Sequence, residues 1–143
     1  MSDPRTAPYA SAHLSDIVED IRDPDDTGDG TWHLVRRHFD VQAFGVNASR
    51  GDAGDVLIVE HHERDDAENG TEGHEELFAI ISGHAVFTVD GNDLDAPAGT
   101  LVFVRDPALL RTARAIADGT AILAVGARPG APFAVSRWEQ AID

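Results

Sequence analysis

Short apolar runs punctuated by Gly, Asp and Asn fill the second half of the chain: Glu75–Ile81, Ala85–Val89, Asn92–Leu94, Leu101–Val104, Leu109–Ala115 and Thr120–Val125. Runs of this length bounded by turn residues predict β-strands. Asp90-Gly91 sits between two of them, and this dipeptide favours the tight turn of a β-hairpin. Upstream, Trp32–Phe39, Val41–Asn47 and Val56–Glu60 read as strands by the same rule. No helix-length pattern interrupts the series, which argues against a βαβ architecture. The even spacing predicts an all-β sandwich or closed barrel.

The first part of the chain reads differently. Leu14, Ile17, Val18 and Ile21 fall at i, i+3, i+4 and i+7, one stripe of a short helix over Ala10–Ile21. It is expected to pack outside the domain or against a partner subunit. Asp23–Gly30 is rich in Asp and Gly and reads as a surface turn. It lacks the glutamate that a calcium loop needs at its twelfth position, because counting from Asp23 or Asp25 reaches Leu34 or Arg36. His62–Gly73 is a long acidic loop, of a length often functional in compact domains. The tail from Pro132 carries Phe133, Val135 and Trp138 and is expected to cover a barrel edge or join a dimer interface. The chain thus divides into an arm with a short helix (1–31), a barrel (32–130) and a tail (131–143).

With 143 residues, of which 42% are hydrophobic, the chain can bury one core. The absence of cysteine excludes disulfides, thiolate metal sites and cysteine nucleophiles. No apolar run approaches the ~20 residues of a membrane span, and the start of the chain has no secretory signal pattern, so a cytoplasmic protein is expected. The formal charge of −15 disfavours nucleic acid and anionic membranes as partners. All 11 basic residues are arginine. There is no phosphate-binding glycine loop and no nucleophile elbow.

Glu76, six intervening residues and Gly83, followed by strand, Asp-Gly turn and strand, resemble the second half of the first motif of the cupin superfamily. The likeness is to its small single-domain, RmlC-like members. The motif's first half is altered. After Gly54 and five intervening residues, Glu60-x-His62 stands where His-x-His is usual, and His61-x-Glu63 is the alternative register. The gap before Glu76 is long and contains His74. In the second motif the Gly99–Val104 strand matches, but Leu110 occupies the histidine position and Arg114 the asparagine position. The resemblance spans roughly residues 52 to 126. It implies a double-stranded β-helix (jelly-roll) barrel, a homodimer and one divalent transition metal (Mn, Fe, Ni or Zn).

Strand alternation then limits the site. If His62 points inward so does Glu60, and if His61 points inward so does Glu63. Glu76 shares a face with Phe78 and Ile80. A carboxylate in such surroundings needs a positive partner. The candidates are a metal on His61 or His62, Glu63, His74 and Glu76, or a guanidinium from Arg111 or Arg114 replacing the metal. Glu60, Phe78, Arg111 and Arg114 are the candidate ligand contacts, although Phe78, Phe87 and Phe103 read first as core. The favoured function is a small-molecule-binding module, with or without metal. A metal-dependent dioxygenase or isomerase is the alternative, and a scaffold with a filled barrel the third reading.

Overall fold

The computed structural model describes residues 3–17, 28–64, 73–136 and 139. Val18, Ile21 and Trp138, and the loop residues 23–27 and 65–72, lie outside the described residues. Among the described residues, nine strands form two antiparallel sheets. They are β1 (Thr31–His33), β2 (Gly45–Gly51), β3 (Val56–His61), β4 (Glu75–Ser82), β5 (His84–Val89), β6 (Asn92–Pro97), β7 (Leu101–Val104), β8 (Arg111–Ala115) and β9 (Thr120–Ala127). One sheet has the order β1-β2-β9-β4-β7 and the other β3-β8-β5-β6. This is the all-β architecture expected from the punctuation of apolar runs. No helix among the described residues is long and apolar enough to cross a membrane.

The core lies between the two sheets. Phe78 and Ile80 of β4, Val102 and Val104 of β7 and Ile122 of β9 meet Ala85 and Phe87 of β5, Ala96 of β6 and Ala113 and Ala115 of β8. Small alanines facing large residues let the sheets approach closely, as dense packing requires. The Phe78 and Phe87 rings touch at 5.0 Å between centroids. The β5–β6 turn is Asp90-Gly91, and both residues have positive φ, 51° and 77°. A two-residue turn with that twist matches the right-handed twist of the flanking strands.

Two expectations are corrected. Trp32–Phe39 is not one strand. It ends as β1 at His33, and Val35–Phe39 form a short helix, α1. The reason is long-range. Arg36, 2% exposed, is turned into the protein, where its Nε donates to the Glu139 carboxylate. The second oxygen of Glu139 accepts from Asn47 Nδ2 at 2.7 Å. Helical geometry presents Arg36 to these partners. Asp40, in the left-handed conformation, ends the helix, and the next strand, expected from Val41, starts only at Gly45. The expected helix over Ala10–Ile21 is also shorter where it is described. Leu14–Asp16 form one 3₁₀ turn and Ile17 is already extended and buried.

Candidate metal centre at one end of the roll

Register brings the polar groups to a single end of the sandwich. On β4 the inward row is Glu76, Phe78 and Ile80, so Glu76 shares the core face with two fully buried residues. Its cross-strand neighbours are Val104 on β7 and Gly126 on β9. A Cβ at Gly126 would stand 3.3 Å from Glu76 Cγ, so the glycine leaves the carboxylate its space. In the facing sheet His61 ends β3 and is paired with Arg111, which starts β8.

Arg111 is 0% exposed in its side chain and Glu76 14%, and Arg111 Nη1 donates to Glu76 Oε1 at 2.8 Å. Arg111 Nε also donates to the Leu109 carbonyl at 3.0 Å and Nη2 to the Asp106 carbonyl at 3.5 Å. The loop before β8 thus wraps the guanidinium with backbone oxygens and aims one nitrogen at the acid.

His61 faces the same carboxylate. Its Nε2 is 3.2 Å from Glu63 Oε1 and 3.7 Å from Glu76 Oε1, and its Nδ1 is 2.8 Å from the Val59 carbonyl. Carbonyls and carboxylates only accept, so both ring nitrogens must donate and the ring is an imidazolium. Burial opposes that charge. Glu63, Glu76 and the Val59 carbonyl outweigh it and raise the pKa from 6.5 to about 10. Glu63 is held in place through its backbone: its N–H donates to the Pro107 carbonyl at 2.9 Å and its own carbonyl accepts from Gly73 N at 2.6 Å.

A group whose pKa is higher folded than unfolded contributes stability below the unfolded value and loses it as pH rises through the folded value. The His61 contribution is therefore complete below about pH 6.5 and fades toward pH 10. The ring is 38% exposed, so solvent screens part of it. Melting temperatures measured in chelator from pH 6 to pH 10 are expected to fall more steeply for the natural protein than for His61→Gln. Parallel pH profiles would contradict the charge network.

His61, Glu63 and Glu76 each offer one donor atom, and all three atoms lie within 4.8 Å of one another. An ion about 2.1 Å from two donors holds them roughly 3.0–3.4 Å apart. The observed 3.2 and 3.7 Å differ little from that. Arg111 occupies one side of Glu76 Oε1 and leaves a second lone pair, and hydrogen-bonded carboxylate ligands are usual around metals. The Nδ1 contact to Val59 likewise fixes the tautomer in which Nε2 is the ligand once its proton leaves. The three residues fit a divalent cation.

The remaining sequence candidates are placed as follows. His62 is exposed and its Nδ1 accepts from the Arg64 backbone N–H, so it points away from the set. Glu60 is exposed for the same reason of strand alternation. Arg114 is exposed on the outer side of β8 and makes no contact with Glu76. Phe78 is sealed in the core against Phe87 and contacts no solvent-facing ligand space. His74 is buried beside the converging donors but is not one of them. Burial, helped by the Arg128 charge, lowers its pKa against the pull of Glu63 and Glu76, so it stays neutral. Its ring faces Phe133 of the tail at 6.2 Å, and the Phe133 ring packs 3.4 Å from where a Cβ on Gly45 would stand. Phe133 therefore closes the end of the sandwich next to the site. Its proximity had no local signal beyond the two glycines, Gly45 and Gly126, that pair across β2 and β9.

Comparison with solved structures decides the fold. A structure of a sugar phosphate isomerase from a cupin superfamily, from Silicibacter pomeroyi, superposes with a TM-score of 0.63 at 16% identity, covering 83% of this chain and 76% of that one. The chain has the cupin fold. A protein described as a predicted oxalate decarboxylase from Thermotoga maritima covers 82% of this chain and 97% of its own, with a TM-score of 0.60 and 20% identity. A cupin protein from Bacteroides fragilis covers 80% and 87%, with a TM-score of 0.56 and 18% identity. No family model and no curated protein sequence matches the chain. At these identities the cupin likeness concerns architecture, and chemistry has to be argued from the site.

Proposed function

We propose that this cupin-fold protein binds a small molecule at the end of its roll where His61, Glu63 and Glu76 converge, through a divalent transition metal held by these three residues. The convergence of three ionisable donors on one point carries this reading. One nitrogen and two carboxylate ligands suit Mn, Fe, Ni or Zn. Arg111 holds Glu76 in position from behind, and Val59 orients the His61 ring. When bound, the metal supplies a Lewis-acidic point that takes an oxygen of the ligand. With His61 neutral, a divalent ion and Arg111 stand against two carboxylates. The surplus is a single positive charge, which suits a neutral or singly anionic oxygen-bearing ligand. Three protein donors leave coordination positions open, as at catalytic metal centres. That observation supports a metal-dependent dioxygenase or isomerase as the second reading.

Calorimetric titration of chelator-stripped protein with Mn, Fe, Ni and Zn tests both. One equivalent is expected to bind, with release of about one proton near pH 7.5 as the ion replaces the His61 proton. The proton count comes from the dependence of the heat on buffer ionisation. His61→Gln is expected to weaken binding at least ~10-fold and to abolish the proton release. Failure of all four ions to bind below about 1 mM would sink the metal reading. A loaded protein that binds ligands without turning them over separates the module from the enzyme.

A further inference from the structure

The inward row of β9 does not stop at the metal donors. Ile122 and Ala124 face the core and Gly126 stands opposite Glu76, so alternation puts Arg128 next in the same row, one residue past the end of the strand at Ala127. The side chain follows that direction. A Cβ on Gly73 would lie 3.2 Å from Arg128 Cδ and 3.5 Å from its Cγ. Gly73 is the residue whose N–H donates to the Glu63 carbonyl, and it directly precedes His74. The stem of Arg128 therefore lies along the segment that holds one metal donor and leads into the strand of another, and its charge reaches the His74 ring. Solvent reaches both ends of this path. Arg128 is exposed, and the His61 side chain beside Glu76 is 38% exposed.

Charge and shape then choose what Arg128 would hold. Arg36 and Arg111 are each committed to a carboxylate, whereas Arg128 makes no ion pair among the described residues. In a chain of formal charge −15 most of the surface repels anions, and a guanidinium without a counter-charge is a local attractor for them. Its planar fork matches a carboxylate through two parallel hydrogen bonds. Two residues along a strand cover roughly 7 Å. A ligand reaching from the Glu76 end of the row to Arg128 therefore needs only a short carbon chain. Apolar surface for such a chain stands beside the path, where the Phe133 ring packs against Gly45, the partner of Gly126 across β2 and β9.

We infer that Arg128 selects the ligand by pairing with its carboxylate, while a neutral hydroxyl or carbonyl oxygen a few carbons away meets the metal on His61, Glu63 and Glu76. The inference rests on the metal reading above and narrows its ligand to short hydroxy or oxo carboxylates. The test is calorimetric binding of β-hydroxypropionate, γ-hydroxybutyrate and δ-hydroxyvalerate, each beside its primary amide, to protein carrying one equivalent of Zn. At least one acid is expected to bind below about 10 mM. It is expected to bind about 10-fold or more tightly than its amide. Arg128→Gln is expected to erase that preference, and Arg128→Lys to keep part of it. Arg114→Gln changes an exposed arginine on the outer side of β8 and is expected to leave the preference whole. Zinc content measured on every sample separates two failures. Protein that takes up no zinc overturns the metal reading and this inference together. Loaded protein that binds none of the acids, or whose preference for acid over amide survives Arg128→Gln, overturns the assignment of Arg128 and leaves the metal site standing.

Discussion

Glu76→Ala is expected to cost about 3–5 kcal/mol of folding stability, measured by urea denaturation in a chelating buffer. The magnitude comes from what stays behind. Arg111 has no exposed side-chain surface and would remain charged without its carboxylate. The backbone oxygens of Leu109 and Asp106 still accept from it, which places the loss in the lower part of the range. The comparison that identifies the cause is the double variant Glu76→Leu with Arg111→Met. It removes both charges and fills the volume, and buried pairs replaced in this way often lose little. Recovery of most of the stability is the expected result. If Glu76→Ala costs under about 1 kcal/mol, the guanidinium does not depend on the acid and the account of this end of the roll fails.

The second large effect is expected at Gly83, where Gly83→Ala loses about 3 kcal/mol or more by thermal and chemical denaturation. Two penalties act together. Gly83 has a φ of +72°, a conformation that costs an L-residue about 1–2 kcal/mol. An added Cβ would also stand 2.3 Å from Thr120 Oγ1 and 2.6 Å from Thr120 Cα. Thr120 cannot retreat, because it is fully buried and its hydroxyl is fixed at 2.7 Å from the Ala117 carbonyl and 3.1 Å from His84 N. Gly91 has a similar φ of +77° but open space around its Cβ position. Gly91→Ala therefore reports the conformational penalty alone, about 1–2 kcal/mol. Equal losses at the two positions would show that the contact with Thr120 relaxes freely.

The pair Glu76 and Gly83 was legible in the sequence because each has a local cause. Strand alternation turns Glu76 inward with Phe78 and Ile80, and the β4–β5 connection needs a residue that tolerates positive φ. The Asp90-Gly91 hairpin was legible for the same reason. Counting alone left the register near His61 open, and the ladder between β3 and β8 shows why. It is irregular between Val56 and Ile58 and again between Ile58 and His61, so spacing from Gly54 does not carry through. The choice between Arg111 and Arg114 was equally open, since it depends on where β8 begins. Helix α1 was missed because its decisive contacts are with Glu139, over a hundred positions away, and local apolar runs carry no trace of such a partner. Residues Val35 and Phe39, four apart, were the only hint.

The position of β9 has a consequence for how the protein is made. This strand lies between β2 and β4 in the larger sheet, yet both precede it in the chain. A polypeptide that has emerged only as far as β8 holds two strands with open backbone on either side of a gap, and nothing yet to fill it. Assembly of that layer waits for one late segment, and distant pairings of this kind slow the search for the native state. Until Thr120–Ala127 arrives, the facing edges of β2 and β4 stay unpaired and open to other nascent chains.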